Sequence, residues 1–276
     1  AVAHHYAVEE LDVQPIRTPS AMNGAYQRVT LWNGQFGATD MNRDTEYAWT
    51  EGTPKEFNTL GYEGLETQAI AGLKVHRLEI NQELVESLGY KQAFDQAFSD
   101  VPPSNRYTRE MAGLAIAAYE RTVLANQSPF QEWLNGKESA MSRTEKLGAV
   151  LFFGKAQCFN CHTGPALNSM EFYALGMNDL ATMALPTMGT SPEDKANLGR
   201  ASFTNRPWDF YKFKVPQLYN LADSPFYGHG SSFTSVKEVI NYKNIAVAEN
   251  SNVLSSQLPI DFRPLILSEE EFDQLT

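Results

Sequence analysis

Residues 157–162, Gln-Cys-Phe-Asn-Cys-His, constrain this chain more than any other stretch. Two cysteines separated by two residues and followed at once by histidine form a C-x-x-C-H pattern, which is typical of covalent haem c attachment. Chemistry explains the spacing, because the two thiols form thioethers with the haem vinyl groups and the adjacent imidazole reaches the iron. The pattern predicts haem c bound through Cys158 and Cys161, with His162 as an iron ligand.

A cysteine pair also occurs in zinc sites, in redox-active C-x-x-C motifs and as a plain disulfide. A structural zinc site needs four ligands. The chain has two cysteines and five histidines, and the histidines outside the motif are not at zinc-finger spacing. A thioredoxin-like pair would accompany a βαβ pattern, which is absent. Haem is therefore favoured, and because haem c is attached outside the bacterial cytoplasm, the motif predicts a periplasmic protein.

Composition limits the partners. The chain has 276 residues, 42% of them hydrophobic, which is enough for one large domain or two small ones. Its formal net charge of −11 disfavours nucleic acid as a partner. The same charge suits a basic redox protein, and it is also ordinary for soluble proteins. No apolar run reaches the roughly 18 residues of a membrane-spanning helix. The sequence begins at Ala1 rather than Met, so we expect the chain to be processed or trimmed.

The residue pattern favours helices and loops. Periodicity predicts a helix from Glu83 to Phe98 and another from Arg109 to about Ala125. Capping boxes predict three further helix starts, at Ser142/Glu145, Ser235/Glu238 and Ser268/Glu271. Residues 1–64 and 163–214 are rich in turn-forming residues, and strand patterns are weak. We therefore predict a mainly α fold with long loops that wrap a cofactor.

Several segments carry a family resemblance. The C-x-x-C-H motif, residues 213–220 (Phe-Lys-Val-Pro-Gln-Leu-Tyr-Asn) and residues 225–230 (Pro-Phe-Tyr-Gly-His-Gly) resemble the C-terminal haem domain of bacterial di-haem cytochrome c peroxidases. That family includes the MauG-like enzymes, which oxidise protein side chains. Segments similar to the family's N-terminal part are residues 17–20, 31–34, 66–69, 114–122 and 128–130. The resemblance implies two cytochrome c-like haem domains, expected here at residues 1–138 and 139–276.

One departure from the family concerns the number of haem motifs. The family carries two C-x-x-C-H motifs, whereas this chain has one. We expect that the first motif precedes Ala1 and that the chain is truncated at both ends, so that the intact protein holds a second haem. The alternative is a one-haem relative in which residues 1–64 are remodelled around an empty site.

The resemblance also implies catalytic residues. Trp32 matches the family's tryptophan between the two haems, which relays electrons, although a buried tryptophan is also an ordinary core residue. Gln68 and Glu79 match polar residues on the peroxide side of the N-terminal haem, where a glutamate acts as general acid and base. His76 lies three positions before Glu79 and is a further candidate for that pocket.

The sixth ligand of the His162 haem is left open by the sequence. Family members use Met or Tyr from the helix after the His-x-Gly segment, and here that helix offers Tyr242 and Lys243. We predict Tyr242, with Lys243 as the alternative that ungapped counting favours. Methionines of the intervening loop are further candidates, namely Met170, Met177, Met183 and Met188. Upstream, His4 and His5 are candidates for a displaceable ligand of the N-terminal haem.

The function implied by the resemblance is reduction of hydrogen peroxide in the periplasm, with electrons from a small donor protein such as a cytochrome c or a cupredoxin. Two alternatives stay open: MauG-like oxidation of a partner protein, and a mono-haem electron-transfer protein without peroxide chemistry. By resemblance only, the family also implies bound calcium and a possible homodimer.

Overall fold

In the computed structural model, which describes residues 15–182 and 189–276, the chain divides into two units. The N-terminal unit spans Ala21–Leu124, and the C-terminal unit comprises Ala125–Thr276 together with residues 15–20. These units follow from packing alone, and the expected haem-domain boundary at residue 138 stays a prediction.

Helices dominate the described chain, as the sequence predicts. The α-helices are α1 (Gly64–Val75), α2 (Gln82–Ser87), α3 (Lys91–Ala97), α4 (Arg109–Glu120), α5 (Pro129–Leu134), α6 (Arg143–Phe153), α7 (Ala201–Thr204), α8 (Val236–Ile245) and α9 (Glu269–Leu275). Two short strands, β1 (Phe172–Tyr173) and β2 (Phe213–Lys214), pair antiparallel with Phe172 opposite Lys214. In the described residues, no helix is both long enough and apolar enough to cross a membrane.

Helices α1 and α4 form the centre of the N-terminal unit. They approach closely at Gly113, where an added Cβ would lie 2.3 Å from Cγ1 of Ile70, so only glycine fits there. An ion pair joins the helix ends, since the guanidinium of Arg121 contacts Glu66 at 2.7 Å and Glu63 at 3.2 Å. Close backbone packing and this pair orient α1, which carries Gln68.

Buried asparagines organise the loop-rich segment before α1. Asn42 donates to the carbonyl oxygens of Gly34 and Gly37 at 2.7 and 2.8 Å. Asn58 accepts from the backbone N–H of Gly37 at 3.0 Å and donates to the carbonyl of Gln35. Side-chain amides thus satisfy backbone groups that a strand or helix would otherwise pair.

In the C-terminal unit, α6 packs against α9. A Cβ added at Gly148 would lie 2.0 Å from the carbonyl oxygen of Gln274, so the helices meet there through backbone. After α6 the chain turns at Gly154 and enters a single 3₁₀ turn, Cys158–Asn160. The last turn of α6 therefore delivers the C-x-x-C-H motif.

Two helix predictions need correction. The predicted helix from Glu83 to Phe98 is wrong as one element, because the chain leaves α2 at Gly89, whose φ of +78° ends the helix, and re-enters helix in α3. Helix α4 ends at Glu120 rather than near residue 125. The capping boxes at Ser142 and Ser268 are confirmed. At Ser235 only the serine cap forms, because Glu238 accepts from Thr234 instead.

Candidate haem site

The two cysteines of the motif lie on one tight turn and are free thiols. The backbone N–H groups of Cys161 and His162 both donate to the carbonyl oxygen of Cys158, at 3.2 and 2.9 Å. Burial raises the pKa of Cys158 to about 11, and burial likewise raises the pKa of Cys161. These thiols are therefore protonated at neutral pH, unlike the low-pKa thiolates of redox or zinc motifs.

His162 is held by a backbone carbonyl. Its Nδ1 lies 2.9 Å from the carbonyl oxygen of Leu167. A carbonyl only accepts, so Nδ1 carries the hydrogen and Nε2 keeps a lone pair in the neutral ring. Burial lowers the pKa of His162 to about 4, and nearby Lys243 adds to this, against the smaller opposing effects of the Leu167 and Pro216 carbonyls. The imidazole is thus neutral and in the tautomer that binds a metal through Nε2.

A cavity of about 710 Å³ opens beside His162. Its volume lies within the range of roughly 300–1,000 Å³ found for cofactor and ligand sites. The ring of Phe130 stacks on that of Phe153 at 6.0 Å, so α5 and α6 supply an aromatic wall. Other apolar residues along the wall are Trp133, Leu134, Val150, Phe159, Pro165 and Tyr219.

These residues fit haem c. The chain supplies two uncrosslinked thiols at the right spacing, an imidazole whose Nδ1 is held by a backbone carbonyl and an apolar cavity beside it. Cys158 and Cys161 would hold the porphyrin, and His162 would hold its iron.

Tyr242 is placed in the core of the C-terminal unit. The tyrosine is 6% exposed, and its hydroxyl donates to the carbonyl oxygen of Leu175. Burial raises its pKa. Lys243 is half-buried, and its ammonium lies 4.9 Å from the ring centroid of Phe262. Met170 is half-buried, as is Met177, which packs against the cluster that contains Tyr242. Met183 and Met188 lie outside the described residues.

The three residues predicted to be catalytic lie in the N-terminal unit. Trp32 is 8% exposed, in the segment that precedes α1. Gln68 is half-buried on α1, and Glu79 is exposed beyond the end of that helix, as is His76. The structure thus places Gln68 on a rigid helix and Glu79 on an irregular segment. His4 and His5 lie outside the described residues.

Sequence reasoning missed two parts of this site. One is the Leu167 carbonyl, which a side-chain search does not find. The other is the role of α5, whose first residues resemble the family's N-terminal part but whose Phe130 and Trp133 line this cavity. The signal for α5 was present in the sequence, since Ser128 and Gln131 form a capping box with proline at the first helical position.

Metal binding outside the motif has little support from acidic or histidine clusters. Across residues 15–182 and 189–276, no group of three His, Cys, Asp or Glu side chains is placed to hold a metal ion. Calcium also binds backbone and amide oxygens, so the calcium expectation stays a prediction.

Comparison with known proteins identifies related chains. The family model described as di-haem cytochrome c peroxidase matches residues 3–139. Cytochrome-c peroxidase IdrP1 of Pseudomonas sp. (strain SCT) is 33% identical over 172 residues, which is 55% of this chain and 44% of that protein. The methylamine utilization protein MauG of Methylophilus methylotrophus is 26% identical over 243 residues, or 85% of this chain and 60% of that protein.

Further matches extend the comparison. Cytochrome c peroxidase Ccp of Escherichia coli K12 is 30% identical over 242 residues, covering 84% of this chain and 44% of that protein. The chain thus spans about half the length of the curated relatives that it matches. A crystal structure of a MauG-like protein associated with microbial copper homeostasis shares the fold, with a TM-score of 0.63 at 20% identity. That match covers 95% of this chain and 73% of the solved one.

Proposed function

The chain belongs to the di-haem cytochrome c peroxidase family, and we propose that it attaches haem c through Cys158 and Cys161 with His162 as the proximal ligand. The observation that carries the proposal is the pairing of a C-x-x-C-H turn with an imidazole whose Nδ1 donates to the Leu167 carbonyl. When bound, haem c would supply an iron that exchanges electrons.

We propose that the intact protein is a periplasmic peroxidase with two haem groups. Hydrogen peroxide would take up two electrons and two protons and leave as two water molecules. The electrons would come from a small redox protein, a cytochrome c or a cupredoxin. The formal charge of −11 favours a basic donor, whose attraction salt would screen over roughly 10 Å at 0.1 M.

Three residues of the N-terminal unit have proposed roles in this reaction. Glu79 would accept a proton from one peroxide oxygen on its carboxylate and return it to the departing oxygen. Gln68 would orient the peroxide through its side-chain amide. Trp32, which is buried and aromatic, would relay electrons. Support for these roles comes from the family resemblance, from the exposure of Glu79 to solvent protons and from the burial of Trp32.

MauG-like oxidation of a partner protein is the second candidate. The observation in its favour is the MauG match, which extends over 85% of this chain, as far as the match to the peroxidase Ccp at 84%. A mono-haem electron-transfer role is the alternative that requires no peroxide chemistry.

The test uses the intact, full-length holoprotein. Intact mass and the pyridine haemochrome spectrum count the haems per polypeptide, and peroxide consumption is followed with a reduced basic cytochrome c. We expect two haems and one peroxide consumed for every two donor molecules oxidised. One haem with no peroxide turnover would leave the electron-transfer role. Two haems without donor oxidation, but with peroxide-dependent oxidation of a partner protein, would favour the MauG-like role.

A further inference from the structure

Two neighbouring residues of α8, Tyr242 and Lys243, face different surroundings. The Tyr242 ring packs against Phe233 and Phe262, with ring centroids 5.2 and 5.4 Å away. These three residues form a buried hydrophobic cluster, and the Tyr242 hydroxyl is satisfied by the carbonyl of Leu175. Turning Tyr242 toward a cofactor would break this hydrogen bond and leave a void in the cluster, and both changes are costly.

Lys243 instead reaches the side of the haem-attachment turn. Its ammonium lies over the ring of Phe262 at 4.9 Å. The residues on either side of Phe262 are tied to that turn: Asp261 accepts from Asn160 at 3.2 Å, and Arg263 donates to Gln157 at 3.3 Å. Gln157 and Asn160 each directly precede one of the two cysteines. The segment under the Lys243 amine is thus anchored to the turn that would carry the haem.

Charge effects agree with this placement. Lys243 lowers the pKa values of Cys158, Cys161 and His162, in each case as a smaller effect beside the larger effect of burial. Its own pKa is lowered by burial, which the two cysteines and Asp261 oppose. Among the ion pairs of residues 15–182 and 189–276, none includes Lys243. The half-buried Lys243 amine therefore lies beside the haem-attachment turn and over the Phe262 ring.

We propose that the amine of Lys243, rather than the phenol of Tyr242, is the protein ligand opposite His162 on the haem attached at Cys158 and Cys161. The proposal rests on the proposed haem attachment. His162 and Lys243 would then both hold the iron of this haem. A haem held by these two residues would supply electron transfer rather than peroxide chemistry, which suits an electron-entry site.

The test compares two variants of adjacent residues in the intact, haem-loaded protein. Lys243→Ala removes the amine, and Tyr242→Phe removes only the hydroxyl while keeping the ring in its cluster. The readouts are the electron paramagnetic resonance and absorption spectra of the oxidised protein. The pyridine haemochrome count checks haem attachment independently, so failure of the haem proposal is distinguishable from failure of the ligand proposal.

We expect Lys243→Ala to convert one low-spin haem signal to high-spin and Tyr242→Phe to leave both signals unchanged. Lys243→Met should restore a low-spin signal with the charge-transfer band of thioether ligation. If Lys243→Ala converts no low-spin signal, or if only Tyr242→Phe converts one, the assignment is overturned.

A measurement without substitutions covers the case in which Lys243→Ala fails to fold. Protein grown with heavy-nitrogen lysine is examined by electron–nuclear double resonance of the low-spin haem signals. Hyperfine coupling of a lysine nitrogen to one iron supports the assignment, and its absence from both haem signals contradicts it.

Discussion

Nδ1 of His162 donates to the carbonyl oxygen of Leu167 across 2.9 Å, and the tight turn that places this carbonyl begins at Gly164, whose carbonyl accepts from Leu167 N–H at 3.1 Å. A backbone acceptor directs the ring without adding a titratable group, so the tautomer does not depend on the charge of a neighbouring side chain. Such partners orient metal-binding histidines and increase their basicity. The residues that present His162 therefore follow it directly in the chain.

Covalent attachment predicts a clear chemical outcome. Cys158→Ala combined with Cys161→Ala removes both thiols of the chain, so no thioether forms there. Haem at this site should then be extractable into acidified organic solvent, whereas the wild-type haem stays with the polypeptide. Asn160→Ala is the matched control, because it changes one of the two residues between the cysteines and keeps both thiols. Complete extraction of haem from the denatured wild-type protein would contradict the assignment.

Glu79 is predicted to move protons during peroxide cleavage. Glu79→Gln keeps the shape of the side chain and removes the carboxylate, so the peroxide-reduction rate of the holoprotein should fall by about 10²–10⁴-fold. The control is Glu83→Gln, the same change at an exposed position on α2, which should leave the rate unchanged. Equal rates for the two variants in stopped-flow mixing with peroxide would remove Glu79 from the reaction.

Substitutions of Gln68 and Trp32 are expected to slow different steps of the reaction. Gln68→Ala is expected to slow the reaction with peroxide itself, because the orienting amide is lost. Trp32→Phe is expected to leave that first reaction intact and to slow the return to the reduced state in the presence of donor. Single-turnover mixing with peroxide, followed by mixing with reduced donor, measures the two steps. If Trp32→Phe alters neither step, the buried tryptophan is a core residue only.

The contact between α1 and α4 predicts opposite effects for two glycines. Gly113→Ala should destabilise the fold by about 1–3 kcal/mol, because the new methyl overlaps Ile70. Gly72→Ala, on α1, should stabilise it by up to about 1 kcal/mol, because alanine favours helix and the nearest atom to its Cβ is 4.0 Å away. Midpoints of urea unfolding, followed by circular dichroism of the holoprotein, test both. Similar midpoints for the two variants would mean that the helices are not in backbone contact.

The buried carboxylate of Asp179 connects His229 and Asn250, which lie on either side of α8 in the chain. Asp179 accepts from Asn250 at 2.8 Å and lies 2.9 Å from Nε2 of His229. Asp179→Ala strips both partners of a buried acceptor and should cost roughly 2–4 kcal/mol. Asp273→Ala is the control, because its pair with Lys237 is on the surface and contributes roughly 0–1 kcal/mol. An Asp179→Ala midpoint of unfolding as high as that of Asp273→Ala would show that this network adds little.

Features that depend on residues close together in the chain were determined by the sequence itself. The C-x-x-C-H motif and the capping boxes at Ser142 and Ser268 involve residues at most four apart, whose geometry a single turn of chain sets. The mainly α fold also followed from local periodicity. The break at Gly89 was missed because a continuous apolar pattern does not reveal a left-handed residue. The roles of Trp32, Gln68 and Glu79 came from family resemblance and stay predictions.

Only the tertiary structure decided which parts of the chain surround the motif. The cavity is lined by α5, α6 and Tyr219. Arg263, next to Phe262, donates a hydrogen bond to Gln157, which lies 106 positions earlier in the chain. Counting positions along α8 does not decide whether Tyr242 or Lys243 is the iron ligand, because the two residues are adjacent. Packing separates them, because consecutive helical residues point about 100° apart: the Tyr242 ring lies between Phe233 and Phe262 with its hydroxyl on the Leu175 carbonyl, whereas Lys243 reaches over the Phe262 ring. The direction of each side chain on α8 depends on the residues that pack against the helix. Those residues are distant in the sequence, so a local pattern does not reveal them.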